Sequence, residues 1–256
     1  MTSLQIHQFD YYNDNYGVLI HDPESGDTVA IDAGDADPYL NEAKLKGWNI
    51  TQIWITHHHW DHTDGLAKLK QETKAKVFGP SKQSTAIVGL DVLLNEGDEI
   101  EFANRKVEVL ETPGHTLDMI NFYLPDDDTI FVGDTLFALG CGRLLEGTPS
   151  MMWSSLQKLA KLPAKTTVYC SHEYSLANAT FALSVDPENE ALKERAEQIA
   201  NLREKGQPTV PFTLETELAT NPFLRPDDEK IRSTLGMENQ SDEAVFTEIR
   251  KRKDNF

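Results

Sequence analysis

Thr56-His57-His58-His59-Trp60-Asp61-His62 is the stretch that decides how this chain is read. The apolar run at 52–56 before it reads as a strand, and 63–71 after it as a helix opened by Thr63 or Asp64. On an extended segment residues i and i+2 point to the same side. His57 and His59 therefore converge on one point, and His58 points away. The turn into the helix carries Asp61 and His62 to a neighbouring point. Four ligand-type side chains thus come from six residues at the C-terminal end of a strand. Unpartnered, such a cluster repels itself when protonated and wastes hydrogen-bonding groups. Coordination of Zn, Fe or Mn by neutral imidazole and carboxylate resolves both problems. The bland alternative is an exposed His-rich tract, but this one is internal and follows an apolar strand.

Three later segments share the form of a strand end followed by a ligand-type residue. They are Thr112-Pro113-Gly114-His115, Phe131-Val132-Gly133-Asp134 and Val168-Tyr169-Cys170-Ser171-His172. Any one alone reads as a helix cap or an ordinary histidine. Together they follow a ligand cluster, and five of the eight histidines fall in these places. His7, His21 and His58 read as ordinary strand or surface residues. Seven ligands are too many for one tetrahedral ion and suit two ions sharing a bridge. A hydroxide between two cations is a strong nucleophile at neutral pH, because each ion lowers the pKa of bound water. The same ions take the negative charge that develops on a carbonyl oxygen. A non-catalytic metal-binding module is the rival from another class; a full ligand series with room for water reads instead as catalytic.

The composition excludes several partners. With 24 Lys and Arg against 42 Asp and Glu, the formal charge is −18. Such a surface repels phosphate backbones and anionic membranes, so neither nucleic acid nor a membrane is expected as a partner. Two cysteines, Cys141 and Cys170, do not make a disulfide framework and fit a reduced, cytoplasmic protein. The opening Met1-Thr2-Ser3-Leu4-Gln5-Ile6-His7 has no basic leader or apolar core, so no secretory signal or transit peptide is expected. No run of about 18 apolar residues predicts a membrane span. A monomer or weak homo-oligomer is expected.

Strands are predicted at 4–9, 16–21 and 28–31, with Gly26-Asp27 as a hairpin signal. A helix follows at 37–47, with Pro38 near its start and Gly47 at its end. Further strands are predicted at 76–78, 99–102, 106–111, 119–124, 129–132 and 167–170, and a helix at 151–162. Many strands with few crossover helices favour two packed sheets flanked by helices. After about His172 the texture changes. A charged amphipathic helix at 188–205, a break at 208–211, and helices at 213–219, 227–235 and 241–253 follow. The expected organisation is a mixed α/β catalytic domain over 1–174 and a smaller helical domain over 175–256.

The series His57-x-His59-x-Asp61-His62, then His115, Asp134 and His172, resembles the metallo-β-lactamase superfamily. The resemblance implies an αββα sandwich, with His57, His59 and His115 on a first metal. It puts Asp61, His62 and His172 on a second, with Asp134 bridging. Asp61 and Asp134 would then be the carboxylates at the reacting centre. Cys141 and Cys170 are not in ligand positions. Zinc is the first expectation, with Fe and Mn open.

Within that superfamily the chain is similar to glyoxalase II, the hydroxyacylglutathione hydrolases, over nearly its whole length. Asp14-Asn15-Tyr16, Gly140-Cys141-Gly142-Arg143, Glu146-Gly147-Thr148, His172-Glu173-Tyr174, Pro208-Thr209-Val210-Pro211, Asn221-Pro222-Phe223-Leu224-Arg225 and Arg250-Lys251-Arg252-Lys253-Asp254 carry the similarity. It implies hydrolysis of S-(2-hydroxyacyl)glutathione, for instance S-D-lactoylglutathione to D-lactate and glutathione, the second step of methylglyoxal detoxification. The helical region would bind glutathione. Substrate-binding positions carry over at Arg143 (through its main chain), Tyr174, Arg250 and Lys253. Leu145 departs where the family often has Tyr, so that hydroxyl contact is lost or supplied elsewhere. The residues themselves agree in part: an acidic chain ends with four consecutive basic residues. Basic groups in a last helical turn also complement the macrodipole, worth about 0.3–1 kcal/mol. Two glutathione carboxylates suit one Arg and one Lys, leaving Lys251 and Arg252 solvated. A β-lactamase is disfavoured by the expected lack of a secretory signal and by the helical appendage. A mononuclear iron persulfide dioxygenase of the same superfamily is the other rival.

Overall fold

Alternation of side chains from Gln5 onward opens the chain as a hairpin. In the computed structural model, which describes residues 3–256, β1 (Gln5–Tyr11) pairs antiparallel with β2 (Asn15–His21), and β2 with β3 (Asp27–Ile31). The expectation of no leader falls partly on Met1 and Thr2, outside the described residues. Helix α1 (Ala36–Lys46) starts on the Asp35 side chain, which accepts from Asp37 N–H, and ends at Gly47 in the left-handed conformation. Strand β4 (Asn49–Trp54) then lies parallel to β3. Two short helices, α2 (Trp60–Thr63) and α3 (Leu66–Thr73), precede β5 (Lys76–Pro80) and β6 (Val92–Leu94), which extend the sheet in parallel.

A second, antiparallel sheet holds β7 (Glu99–Phe102), β8 (Arg105–Glu111), β9 (Ile120–Leu124) and β10 (Thr129–Gly133), in the order β10-β9-β8-β7. These elements form one compact unit, Met1–Glu111 with Thr116–Gly133. Its two sheets meet at Trp54, which stacks on Phe122 at 5.0 Å and meets Phe102 edge-on at 5.9 Å. On the other face of the first sheet, Tyr39 of α1 and Leu66 and Leu69 of α3 cover Ile53 and Ile55. Covered on both faces, the central strands are apolar throughout, which is why Val29-Ala30-Ile31 and Ile53-Trp54-Ile55 show no alternation.

The second unit is Thr112–His115 with Asp134–Phe256. It contains the two-residue hairpin β11 (Leu136–Phe137) and β12 (Gly140–Cys141), then α4 (Pro149–Leu159) on the Thr148 cap. Strand β13 (Thr167–Cys170) pairs antiparallel with β14 (Phe212–Thr213). The remaining helices are α5 (Ser175–Val185), α6 (Glu190–Glu204), α7 (Leu214–Thr220), α8 (Glu229–Leu235) and α9 (Asp242–Asp254). Asn189, Thr213, Asp228 and Ser241 each cap the helix that follows. Leu139, Ala179, Ala182, Leu192 and Ile199 share one apolar cluster. Packing groups 112–115 and 134–172 with the helices.

The mixed α/β class with a helical C-terminal region is what the structure shows. Some details differ from expectation, the short strands β11 and β12 among them. The single helix predicted over 63–71 is α3, beginning at Leu66, and a separate turn, α2, precedes it, so Asp61 and His62 sit on a helical turn. Helix α5 is absent from the prediction because Ser-Leu-Ala-Asn-Ala-Thr-Phe-Ala-Leu-Ser-Val is apolar on most sides and shows no amphipathic period. Strands β6 and β14, at three and two residues, are too short to display alternation.

Candidate metal centre

Asp32, directly after β3, is held at φ +59 and organises the first group of ligand-type side chains. Its Oδ1 accepts from Thr56 N–H at 2.7 Å, and its Oδ2 from Thr56 Oγ1 at 3.0 Å. The same Oδ2 lies 2.8 Å from His62 Nδ1. Thr56 Oγ1 in turn meets His57 Nδ1 at 3.0 Å. Both imidazoles are fully buried and have Nδ1 committed to a protein oxygen. His57 Nε2 stands 3.0 Å from His59 Nδ1, and His62 Nε2 stands 3.5 Å from Asp61 Oδ2. Asn15 Nδ2 donates to that Asp61 oxygen at 3.0 Å, and Tyr11 donates to the Asp61 carbonyl at 2.8 Å. Residue 34 must be glycine here, since a Cβ would come 1.8 Å from the Asp61 carbonyl oxygen.

His58 turns aside, as the alternation requires, with its Nδ1 3.0 Å from Asp118 Oδ1. His7 pairs with Glu42, and His21 stacks on Trp48. The structure therefore brings together His57, His59, Asp61 and His62 in the first unit, with His7, His21 and His58 engaged by Glu42, Trp48 and Asp118.

The second unit gathers His115, Asp134 and His172. His115 Nδ1 donates to the Arg143 carbonyl at 2.8 Å. Its Nε2 lies 3.3 Å from Asp134 Oδ2, and His172 Nε2 lies 3.3 Å from the same oxygen. The His172 ring stacks on Tyr174 at 4.9 Å. One carboxylate oxygen is thus shared between two imidazoles.

These separations have a chemical meaning. Two ligand atoms at about 2.0–2.1 Å from a tetrahedral ion stand roughly 3.3 Å apart. The pairs above span 3.0 to 3.5 Å. Imidazole and carboxylate donors of this kind suit divalent metal ions. Cys141 and Cys170 are free and buried, and burial pushes both thiols up in pKa, so neither offers a thiolate.

Two residues of this arrangement had no assigned role in the sequence. Asp32 follows a strand end, the same form as His115, Asp134 and His172, so its signal was there. Asn15 lies in the quoted Asp14-Asn15-Tyr16, where nothing local marks it as a partner of Asp61.

The expected substrate residues lie in the second unit. Lys253 is half-buried, donates to the Ala177 carbonyl at 3.1 Å and lies over the Phe181 ring at 5.2 Å. Burial, then the neighbouring Arg250 and Arg143, lower its pKa, so three cations crowd together on an acidic protein. Arg250 is turned inward. It is 4% exposed, its Nη1 donates to the Cys141 carbonyl at 2.9 Å, and its Nε and Nη2 donate to Asp254 at 3.1 and 2.7 Å. Tyr174 and Leu145 are exposed.

Residues 15–172 match the family model described as metallo-beta-lactamase superfamily, and residues 173–256 match that described as hydroxyacylglutathione hydrolase C-terminus. A hydroxyacylglutathione hydrolase of Maricaulis maris is 54% identical over 256 residues, covering 100% of both chains. One of Brucella anthropi is 53% identical over 253 residues, 99% of this chain and 97% of its own. This chain belongs to the hydroxyacylglutathione hydrolase family. A solved structure, ETHE1 from Myxococcus xanthus, superposes with a TM-score of 0.70 at 26% identity, covering 96% of this chain and 90% of that one. The hydroxyacylglutathione hydrolase relatives span the whole chain, so the helices α5 to α9 belong to the family as much as the ligand series does. Among the described residues, no helix is long and apolar enough to cross a membrane.

Proposed function

We propose that this chain hydrolyses S-(2-hydroxyacyl)glutathione thioesters, such as S-D-lactoylglutathione, to the 2-hydroxy acid and glutathione, as the second step of methylglyoxal detoxification. On this reading His57, His59 and His115 would hold one divalent ion, Asp61, His62 and His172 would hold another, and Asp134 would serve both. The observation that carries the reading is the spacing of the donor pairs, 3.0 to 3.5 Å, with Asp134 Oδ2 equidistant from His115 and His172. Zinc is the expected ion, and Fe or Mn can replace it, because nitrogen–oxygen sites follow availability as well as affinity.

Bound there, divalent ions would lower the pKa of water and take up charge that develops on the thioester carbonyl. The protein's own groups supply order. Asp32, Thr56 and the Arg143 carbonyl hold the Nδ1 atoms of His62, His57 and His115, which fixes each ring and its tautomer. Asn15 fixes the Asp61 carboxylate. Oxygen from water adds to the carbonyl carbon, the carbon–sulfur bond breaks, and the sulfur leaves with the proton as glutathione. At the other end of the substrate, Lys253 would pair with a glutathione carboxylate, with the Arg143 main chain and Tyr174 as further contacts. Arg250 adds charge from within. Two free, buried cysteines support a reducing, cytoplasmic setting. The reading needs no second subunit, so a monomer or weak homo-oligomer suffices.

Hydrolysis of S-lactoylglutathione, followed with and without chelator beside metal analysis, tests the reading. Purified protein should approach two ions per chain, lose turnover to chelator and regain it with Zn. A ceiling of one ion under saturating Zn, Fe or Mn would sink the binuclear assignment. Oxygen uptake with one iron bound would point to a persulfide dioxygenase.

A further inference from the structure

The 136–141 hairpin is too short to hold itself. It has two residues in each strand, and its turn places Leu139 at φ +57, a conformation that a branched side chain rarely adopts. What holds it is a set of side chains from the helices. Asn221 Nδ2 donates to the carbonyls of Phe137 at 3.3 Å and Gly140 at 3.0 Å. Glu217 Oε2 accepts from Leu139 N–H at 2.8 Å and from Asn221 Nδ2 at 2.9 Å. Asn178 donates to the Ala138 carbonyl and Arg250 to the Cys141 carbonyl. Every residue from Phe137 to Cys141 therefore has a main-chain group bound by a distant side chain.

One end of this hairpin runs into a proposed metal ligand and the other into a residue that holds one. It begins two residues after Asp134. It ends two residues before Arg143, whose carbonyl accepts the His115 Nδ1 proton at 2.8 Å. The ends are joined by Gly142 N–H donating to the Thr135 carbonyl at 3.2 Å. They are packed without slack: a Cβ on Gly142 would lie 2.0 Å from the Asp134 carbonyl oxygen and 3.1 Å from His115 Cβ. A shift of the hairpin must move Asp134, His115 or both.

We propose that Glu217 and Asn221 are positioning residues of the metal centre, setting through the 136–141 hairpin where the Asp134 carboxylate and the His115 ring stand. The proposal rests on the reading of Asp134 and His115 as metal ligands. It gives the helical region a second role besides holding substrate. It also accounts for a feature that stability alone does not ask for. Glu217 and Asn221 are both 0% exposed, and burial pushes the Glu217 carboxyl up to about 7. An apolar pair would be easier to bury but could not bond a turn.

Two variants separate positioning from mere structure. Asn221→Ser keeps a side-chain oxygen for the Phe223 N–H that Asn221 now caps, and removes the donors to Phe137 and Gly140. Glu217→Gln keeps an amide oxygen for Leu139 N–H. In the full chain, Zn affinity is read by competition with a chromophoric chelator, and the ligand field by the visible spectrum of the Co-loaded protein. Asn221→Ser should bind at least one Zn roughly tenfold more weakly, alter the Co spectrum and lower kcat by a similar factor with KM nearly unchanged. Glu217→Ala should follow it, and Glu217→Gln should stay near wild type. If Asn221→Ser keeps wild-type Zn affinity and Co spectrum, the proposal falls, whatever its melting temperature; this variant decides alone if Glu217→Ala does not fold. A wild-type chain that binds no Zn overturns the ligand assignment itself, and that is seen before any variant is made.

Discussion

Asp32 Oδ2 stands 2.8 Å from His62 Nδ1, with both side chains buried, and His58 Nδ1 stands 3.0 Å from Asp118 Oδ1 in much the same way. The two pairs look alike but carry different consequences. His62 presents its Nε2 beside Asp61, whereas His58 lies off the ligand side of the run. A carboxylate behind a ligand imidazole fixes the ring and raises its basicity, and its loss typically costs about 10- to 100-fold in metal affinity.

Asp32→Asn should therefore weaken Zn binding within that range. An amide must present one oxygen to several donors and cannot keep the charge. His58→Ala should leave Zn affinity unchanged, though the nearly buried Asp118 then loses a partner and the melting temperature falls. Chelator competition on both variants makes the comparison. Equal losses of affinity would mean that the facing of the histidine run is wrong.

Glu217 predicts a pH dependence of stability. Its carboxyl is raised by burial to about 7, against an ordinary value of 4.5, and the Leu139 N–H and Asn221 contacts only partly offset this. Between those values the folded state binds more protons than the unfolded chain. Stability from this group is full below about 4.5 and is lost as pH rises through about 7, by roughly 3 kcal/mol for the isolated shift. Glu217→Gln does not titrate. Urea unfolding of both proteins from pH 5 to 8.5 should show the wild type losing stability relative to the variant as pH rises. Parallel curves would show that Glu217 does not titrate in this range.

What could be read from the sequence follows from how far each signal reaches. His57 and His59 are legible because alternation within one strand fixes their side. His115, Asp134 and His172 share a local form, and Asp32 has it too. Helix α5 hides because its few polar residues are spread around an otherwise apolar helix and show no period. The bonds from Glu217 and Asn221 to the hairpin span about 80 residues and follow no spacing rule, although Asn221-Pro222-Phe223-Leu224-Arg225 stands out as a family stretch. Arg250 shows a subtler limit. The basic run tells that charge is present, not which face of α9 carries it. Val245, Phe246, Ile249 and Arg250 are the buried residues of that helix, at spacings of one, three and four, so Arg250 falls on the inward face and Lys253 nearer its edge.

That difference predicts opposite phenotypes for the two basic residues. Glutathione carboxylates keep their charge as the thioester reacts, so a group that pairs with them gives uniform binding, seen in KM more than in kcat. Losing a charge-assisted pair typically costs about 1.5–3 kcal/mol, and the partial exposure of Lys253 draws that toward the lower end. Lys253→Ala should thus raise KM for a glutathione thioester roughly tenfold, more at low salt, and leave a small thioester lacking glutathione almost untouched. Arg250→Ala removes the donor to the buried Cys141 carbonyl and the partner of Asp254. Leaving that carbonyl unsatisfied costs about 1–3 kcal/mol of stability and loosens the hairpin, so turnover of both substrates should fall together. Paired kinetics on the two substrates, with thermal unfolding of each variant, distinguish the cases. A KM effect of Arg250→Ala confined to the glutathione thioester, at unchanged stability, would show that Arg250 reads the substrate directly. An equal loss on both substrates for Lys253→Ala would leave that lysine as a helix-end charge with no part in recognition.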